Sequence, residues 1–214
     1  MPSDDVTLGP AYRIRTSRLV VRCWEPCDAP RLNAALRASW EHLRPWMPWA
    51  QGDVPPLEDT VALLRIWRAK FDLSEDFTYA VFNADESLVL GSSGLHVRQA
   101  RRAQDVREIG YWIHADHINQ GYATEVAAAL TKVAFEIDDV RRVEIHCVIS
   151  NARSAAVPRK LGFAHEADLR QRVPAEDGTY QDEMIWTLLA NEYPASPASE
   201  AEITAYDALD RRIL

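Results

Sequence analysis

The segment Glu108-Ile-Gly-Tyr-Trp-Ile113, with His117-Ile-Asn-Gln-Gly-Tyr-Ala-Thr-Glu125 after it, carries most of the information about the fold. Its first part reads as a strand and its second part as a polar bend that enters a helix. Gly121 and Ala123 lie at this join, where small residues leave backbone N–H groups accessible and the helix start adds a partial positive charge. These features suit a pyrophosphate. A glycine that only makes a turn is the alternative.

The regions on either side of the bend extend this pattern into a strand–helix–strand unit. We expect a strand over Val106–His114, a helix from about Gln120 to Glu136, and a second strand over Val143–Ile149. In the last of these, apolar residues alternate with Glu144 and His146, which is typical of a half-buried strand. The unit indicates a crossover connection within a mixed sheet.

The second informative segment is Asn151-Ala-Arg-Ser-Ala-Ala-Val-Pro-Arg-Lys-Leu-Gly-Phe163. Asn151 and Ser154 lie where the strand gives way to a short helix near Ser154–Lys160, a frequent place for ligand contacts. The alternative is that one of them merely caps the helix. We place Pro158 in the first turn of this helix, where proline is tolerated.

The remaining sequence predicts further strands and two amphipathic helices. Asp28 is expected to cap the first helix, and apolar residues spaced by three and four mark a second one. The strands are expected over residues 12–24, 77–82, 88–96, 163–170 and 181–189, with a hairpin between the second and third. The fold class is therefore α+β, or mixed α/β. We predict one domain over residues 1–193 and a tail over 194–214 that is partly helical from Glu200.

Composition and charge exclude several functional classes. The net charge of −8 argues against broad nucleic-acid binding, which needs a basic surface, and agrees mildly with a cationic substrate such as an amine. The three cysteines are too few for a disulfide framework, and their spacing is weak as a zinc site, so no metal is expected. With no signal peptide or membrane span in the sequence, we expect a cytoplasmic protein without a membrane partner.

Taken together, these segments resemble the GNAT superfamily of acyltransferases, and specifically its branch of ribosomal-protein N-terminal acetyltransferases. Three features carry the resemblance, which runs from about residue 12 to residue 193: Gln120-Gly-Tyr-Ala-Thr-Glu125, Asn151 with Ser154 before Leu161-Gly-Phe163, and the aromatic His42-Leu-Arg-Pro-Trp-Met-Pro-Trp49. The resemblance implies a mostly antiparallel sheet flanked by helices, in which two parallel strands splay apart.

The resemblance also implies where a co-substrate, acetyl-CoA or another acyl-CoA, binds. Its pantetheine arm would face the backbone near Trp112, Ile113 and His114, and Asn151 would bond the same arm. Its pyrophosphate would lie on the backbone amides of Gln120, Gly121, Tyr122, Ala123 and Thr124. One departure is Ile118, where the family often has Gln or Arg, which removes a side-chain donor but leaves the backbone amides in place.

The implied reaction moves the acyl group, acetyl being expected, to a primary amine by direct attack in a ternary complex. Glu108 matches a common family position for the general base, and the alternative is a structural ion pair. Ser154 is the candidate donor to the leaving thiolate. Trp46 and Trp49 are expected to wall the acceptor site, with core packing as the alternative for aromatic residues in this region.

Several alternatives remain open at the level of sequence. The acceptor is expected to be a protein or peptide N-terminal amine, with a small-molecule amine, or a bulkier donor such as succinyl-CoA, as the second interpretation. A third interpretation, from another class, is a CoA-binding sensor or partner module without turnover. A homodimer is one option for the assembly, and the sequence does not decide it.

Overall fold

The computed structural model describes residues 10–97, 105–175 and 177–214. The helices are α1 (Ala29–Leu43), α2 (Leu57–Asp72), α3 (Tyr122–Glu136) and α4 (Ala152–Lys160). The strands are β1 (Arg13–Arg15), β2 (Leu19–Cys23), β3 (Phe77–Asn83), β4 (Val89–His96), β5 (Val106–Ile113), β6 (Arg142–Val148), β7 (Ala164–Pro174), β8 (Tyr180–Leu189) and β9 (Thr204–Tyr206). Within the described ranges, the strands form a single sheet in the order β7-β8-β6-β5-β4-β3-β2-β1-β9. The expected mixed, mostly antiparallel architecture is confirmed.

One pair of neighbours in this sheet, β5 and β6, is parallel, and the other recorded strand pairs are antiparallel. Parallel neighbours cannot be joined by a tight hairpin and need a crossover connection, which is usually a helix. Here α3 supplies that connection, as the strand–helix–strand pattern predicted. The parallel pair lies near the middle of the sheet, with helices close to both of its faces.

Apolar side chains fill two cores, one on each face of the sheet. On one face, α1 packs Leu32 and Trp40 against sheet residues that include Trp112. On the other face, α3 packs Leu130 against residues that include Ile109. Because successive side chains of a strand point to opposite faces, each of the strands β2 to β5 contributes to both cores. In the part of the chain that the structure describes, no helix is long and apolar enough to span a bilayer.

Two local expectations near the start of the chain are wrong. The strand expected over residues 12–24 is a hairpin, β1 and β2, whose turn is closed by a bond from the Thr16 N–H to the Leu19 carbonyl oxygen at 3.0 Å. Asp28 occupies the N-cap position of α1, but its side chain does not make the expected capping bond. Its carboxylate instead accepts from Arg22 at 2.7 Å and from the Glu25 N–H at 3.0 Å, so its charge serves an ion-pair network rather than the helix end.

The short helix α4 begins at Ala152, two residues earlier than predicted. Pro158 therefore lies inside this helix and not in its first turn. A proline at this position removes the N–H that would have bonded the carbonyl four residues earlier, which belongs to Ser154. The helix continues through Lys160 all the same, and the Ser154 carbonyl accepts a hydrogen bond from the Tyr111 hydroxyl instead.

The C-terminal segment is not helical from Glu200 onward. Short 3-10 turns at Tyr193–Ala195 and Pro197–Glu200 lead into β9, which pairs with β1 at the edge of the sheet. Ala198 and Ala205 are buried in the core, so the tail packs on the same body as the preceding strands. The open edge of β1 offers backbone partners that local helix propensity cannot compete with.

Candidate active site

The parallel strands β5 and β6 separate soon after they meet. Their pairing covers only Val106–Glu108 with Arg142–Glu144. Beyond this point β5 stays paired with β4 through Ile113, and β6 stays paired with β8 through Val148. A gap therefore opens between β5 and β6, and one edge of β5 loses its strand partner there. The splayed pair implied by the family resemblance is present.

The backbone of β5 turns specific groups toward this gap. The His114 N–H donates to the Leu90 carbonyl oxygen of β4 at 2.8 Å, so the carbonyl of Ile113, in the same peptide unit, points the opposite way. Backbone direction repeats every second residue in a strand, so Tyr111 shares the orientation of Ile113. The carbonyl oxygen of Trp112 faces β4, because a side chain at Gly91 would collide with it. Tyr111 and Ile113, and not Trp112 or His114, thus present backbone groups to the gap.

A cavity of about 570 Å³ lies along this gap. Its walls come from the loop after α1, from β5, from the start of α3 and from α4. The predicted site residues that line it are Trp46, Trp112, Ile113, Gly121, Tyr122, Ala123, Thr124, Asn151 and Ser154. The structure therefore brings nine of the predicted residues together on one cavity. Tyr111 and Met47 also line it and were not predicted as site residues.

The start of α3 presents backbone amides to the cavity. Gly121 precedes the helix with φ of +83°, a left-handed conformation that glycine adopts without strain. The first helical bond in this turn is from the Glu125 N–H to the Gly121 carbonyl oxygen at 3.0 Å. The N–H groups of Tyr122, Ala123 and Thr124 precede it and have no acceptor within the helix, which is the arrangement that anions bind.

Arg18, in the turn between β1 and β2, contacts the start of α3 from outside the cavity. Its guanidinium donates to the Gln120 carbonyl oxygen at 3.0 Å and to the Glu125 carboxylate at 2.7 Å, and it lies 4.6 Å from the centre of the Tyr122 ring. Gln120 thus binds Arg18 through its backbone carbonyl, and it does not line the cavity. Arg18 could not be predicted as a site residue, because about a hundred residues separate it from the motif that it supports.

The start of α4 holds Ser154 against β5. The Asn151 side chain caps the helix by accepting from the Ser154 N–H at 3.0 Å, so Asn151, and not Ser154, is the cap. The Tyr111 hydroxyl donates to the Ser154 carbonyl oxygen at 3.1 Å and lies 3.2 Å from the Ser154 hydroxyl. Burial raises the pKa of Tyr111 above its usual range, although the Ser154 hydrogen bond opposes the rise. Burial likewise raises the pKa of Cys147 to about 11, in keeping with its predicted place inside a strand.

Glu108 lies on the opposite face of the sheet from Ser154. It belongs to the last paired position of β5 and β6, where its partner in the register is Glu144. Its carboxylate lies 3.9 Å from His146 Nδ1, and the Glu108 side chain is 16% exposed. Glu108 therefore lies at the base of the gap, on the face that carries α1, and not among the residues that line the large cavity.

Other predicted residues also lie apart from the cavity. Trp49 is half exposed, and its ring packs edge-on against Trp40 with 6.0 Å between the ring centres. His114 is buried beside the bend, where its Nδ1 accepts from the Asp116 N–H at 3.2 Å. Desolvation lowers the pKa of His114, which favours the neutral ring that such a bond requires. Neither residue is among those that line the large cavity.

A comparison with protein families matches residues 18–164, more than half of the chain, to the acetyltransferase (GNAT) domain. The chain belongs to the GNAT acetyltransferase family. The family resemblance predicted from the sequence is thereby confirmed. The GNAT assignment covers the splayed strands, the start of α3 and α4, so the cavity lies within the matched domain.

Individual relatives agree with this assignment. YdaF of Bacillus subtilis, which carries the provisional name of a ribosomal N-acetyltransferase, is 29% identical over 184 residues, covering 82% of this chain and 93% of YdaF. The solved structure of RimL, a ribosomal L7/L12 α-N-protein acetyltransferase in complex with coenzyme A, has a TM-score of 0.73 at 21% identity and covers 81% of this chain and 95% of RimL. The microcin C7 self-immunity acetyltransferase MccE, in complex with acetyl-CoA and AMP, has a TM-score of 0.73 at 18% identity, with coverages of 86% and 99%.

Family membership establishes the class of reaction. The protein is an N-acetyltransferase of the GNAT family, and its donor substrate is an acyl-CoA. Among the residues that the structure describes, no group of three or more His, Cys, Asp or Glu side chains is arranged to hold a metal ion. The residues at the gap between β5 and β6 are the candidates for the individual steps of this reaction.

Proposed function

We propose that this protein transfers the acetyl group of acetyl-CoA to the α-amine of a protein or peptide N-terminus, by direct attack in a ternary complex. The observation that carries the proposal is the gap between β5 and β6, which begins beyond Glu108 and Glu144 and has the α3 amides at its open end. A gap through the sheet lets the donor and the amine approach from opposite faces. The names of YdaF and RimL support a protein amine as the acceptor.

The donor fits the cavity along one face of the gap. The amides of Tyr122, Ala123 and Thr124 would hold the pyrophosphate, and the backbone of Tyr111 and Ile113 would pair with the amides of the pantetheine arm. A cavity of about 570 Å³ lies within the range that small-molecule sites occupy. An arm that runs from α3 along β5 leads toward the base of the gap, where Glu108 lies.

The reacting groups then lie on two sides of the thioester. Ser154, on the side of α4, would donate a hydrogen bond from its hydroxyl to the sulfur as negative charge develops there. Glu108, on the side of α1, would accept a proton from the amine. N–H groups of the open β5 edge would stabilise the oxyanion that develops on the carbonyl. In this arrangement no covalent intermediate on the protein is needed.

The acceptor path is proposed to pass the loop after α1. Trp46 and Met47 line the large cavity and also a smaller one of about 290 Å³ between this loop and the β7–β8 hairpin. The two cavities therefore share a wall, and Trp46 is the predicted acceptor residue that stands in it. The exposed Trp49 would contact the remainder of a peptide rather than its reactive amine.

The size of the smaller cavity favours a second candidate, a small-molecule amine as acceptor. A cavity of about 290 Å³ is at the lower end of the range for small ligands and would hold a compact amine. Succinyl-CoA remains an alternative donor, with the smaller cavity as the space for its longer acyl group. Both alternatives keep the family chemistry and differ from the first proposal only in the substrate.

A panel of donors and acceptors tests these proposals, with free thiol release as the measurement. The donors are acetyl-CoA and succinyl-CoA. The acceptors are peptides with a free α-amine, the same peptides blocked at the N-terminus but with a lysine side chain, and a polyamine. Turnover with the free peptides alone supports the first proposal. Turnover with the polyamine alone would show that the acceptor is a small-molecule amine and not a peptide. Binding of acyl-CoA without thiol release from any donor–acceptor pair would indicate a non-catalytic CoA-binding protein. Light scattering on the same preparation tests the homodimer.

A further inference from the structure

His146, on β6 beside Glu108, lies among three carboxylates. Its Nε2 is 2.9 Å from Glu144, and its Nδ1 is 3.9 Å from Glu108 and 3.7 Å from Glu183 of β8. The side chains of Glu108, His146 and Glu183 are each between 13% and 21% exposed, so this cluster is neither deeply buried nor freely solvated. All of these groups lie on the same face of the sheet, at the point where β5 and β6 separate.

The contact with Glu144 fixes which nitrogen of His146 can accept a proton. Glu144 is only 2% exposed, and its other oxygen accepts from Arg142 Nε at 2.6 Å. A carboxylate held by an arginine can only accept hydrogen bonds, so Nε2 of His146 must carry the hydrogen. The lone pair of the neutral ring then lies on Nδ1, which faces Glu108 and Glu183.

A carboxylate alone is poorly matched to the proton that must be removed. An α-ammonium group has a pKa of about 7.7–8.0 and a glutamic acid about 4.3, so transfer to an ordinary Glu108 is unfavourable by more than about three pKa units. The pKa of a histidine, about 6.5, is much closer to that of the α-ammonium group. Burial lowers the pKa of His146, but the Glu144 hydrogen bond and the charges of Glu108 and Glu183 outweigh it and raise the pKa above the usual value. The ring therefore matches an amine better than the carboxylate does.

We propose that His146 is the group that finally holds the amine's proton, taking it on Nδ1 from Glu108 through a water that bridges the 3.9 Å between them, while Glu144 positions the ring. The inference rests on the proposed function and adds a residue to it. The ammonium must lose two protons in total. One passes by way of Glu108 to His146 and then to solvent. The nitrogen lone pair forms the bond to the carbonyl carbon, the C–S bond breaks, and the second proton ends on the sulfur.

The pH dependence of turnover tests this role. The turnover number, measured at saturating substrates, should rise with pH through a midpoint above 6.5, because only the neutral ring accepts a proton. H146Q should lose about tenfold or more at pH 7, and its acid limb should move into the carboxylate range near pH 4–5. H165Q is the matched control, because His165 pairs with Asp168 on the exposed strand β7 and should keep the parent profile. A parent-like acid limb in H146Q overturns the proposal.

Three further measurements keep the test decisive if H146Q does not fold. In E183Q, one of the charges that favour protonation is gone, so the acid limb should move to lower pH by about half a unit or more. An NMR titration of His146 in the protein without substrates should show the same shift, independent of activity. Two acceptors with different amine pKa values should give the same midpoint, and a midpoint that follows the acceptor overturns the proposal. Failure of every acceptor would refute the proposed function instead, and the NMR result would stand by itself.

Discussion

The Tyr111 hydroxyl donates to the carbonyl oxygen of Ser154 at 3.1 Å. This carbonyl is the one that Pro158, inside α4, leaves without a helical N–H donor. The tyrosine thus completes the helix from the neighbouring strand, and the same contact brings its oxygen within 3.2 Å of the Ser154 hydroxyl. The position of the proposed donor to the leaving thiolate therefore depends on a proline four residues away.

The first prediction concerns the stability that the Tyr111 hydroxyl provides where α4 lacks a backbone N–H donor. Y111F should lower the free energy of unfolding by about 1–3 kcal/mol, because a partly buried carbonyl loses its partner. P158A restores a backbone N–H in α4, so the double variant should lose less stability than the two single losses added together. Thermal or chemical unfolding of the four proteins measures the coupling. Y180F, at a tyrosine that is 60% exposed, is the control. Simple additivity would show that the two donors do not serve the same carbonyl.

The second prediction separates catalysis by Ser154 from helix capping. S154A should reduce the turnover number more than it weakens acetyl-CoA binding, because donation to sulfur strengthens only as the C–S bond breaks. Its melting temperature should change little, since the cap belongs to Asn151. N151A should instead lose about 1 kcal/mol of stability. An activated aryl thioester, whose leaving thiolate needs less help, should partly rescue S154A. Normal turnover in S154A would remove the hydroxyl from the mechanism.

The third prediction is a pH dependence of stability that arises from Asp28. Burial would raise the pKa of this carboxyl, but hydrogen bonds from Arg22, the Glu25 backbone and Arg31 outweigh it and lower the pKa. A lowered pKa in the folded state contributes stability that is fully present above the unfolded value of about 3.9 and is lost as the pH falls through the folded value. D28N should cost about 3 kcal/mol at pH 7, because Arg22 loses a buried partner.

Denaturant unfolding between pH 7 and pH 3 checks this sign. The difference in unfolding free energy between the parent protein and D28N should be constant near neutrality and should shrink as the solution becomes acidic. D53N, at an exposed aspartate outside this network, should show little difference at either end. A difference in unfolding free energy between the parent and D28N that grows toward low pH would mean that the carboxyl is not stabilised in its charged form.

Hydrophobic periodicity is sufficient to predict most elements of the fold. The helix α3 and the central strands appear within a few residues of their predicted bounds, because each has one or two buried faces that impose a clear period. The β1–β2 turn escapes prediction, since Thr16 and Ser17 carry no glycine or proline signal. The helical part predicted for the C-terminal tail from Glu200 is wrong because the pairing of this segment with β1 is a long-range contact that no local pattern records.

The candidate site divides in the same way. Residues of the strand–helix motifs, such as Gly121 and Asn151, can be found from sequence because backbone geometry at a helix start limits which residue types can stand there. Arg18 and the cluster around His146 cannot be assigned to the site in this way, because their roles arise from contacts between distant segments. Tyr111 lies inside the quoted motif, yet its role depends on a carbonyl in α4 and cannot be read from β5 alone.

The last prediction tests whether the backbone amides at the start of α3 bind the pyrophosphate of CoA. It compares two glycines that share a conformation. Gly121 has φ of +83° and Gly178, in the β7–β8 hairpin, has φ of +81°. A Cβ atom added at Gly178 would meet no atom within 4 Å, and one added at Gly121 would meet only the flexible end of Arg18 at 3.5 Å. Alanine at either position should therefore cost a similar backbone strain of about 1 kcal/mol, with no direct collision.

The two variants should differ only in ligand binding. G121A relieves its strain by rotating the peptides at the helix start, which turns the amides of Tyr122 and Ala123 away from the cavity. Calorimetry should show at least a tenfold loss in CoA affinity, about 1.4 kcal/mol. G178A should match it in melting temperature and bind CoA like the parent. Equal affinity in the two variants would place the pyrophosphate elsewhere, whereas a loss in both would trace the effect to stability. A selective loss in G121A, at matched stability, leaves the α3 amides as the group that holds the phosphate.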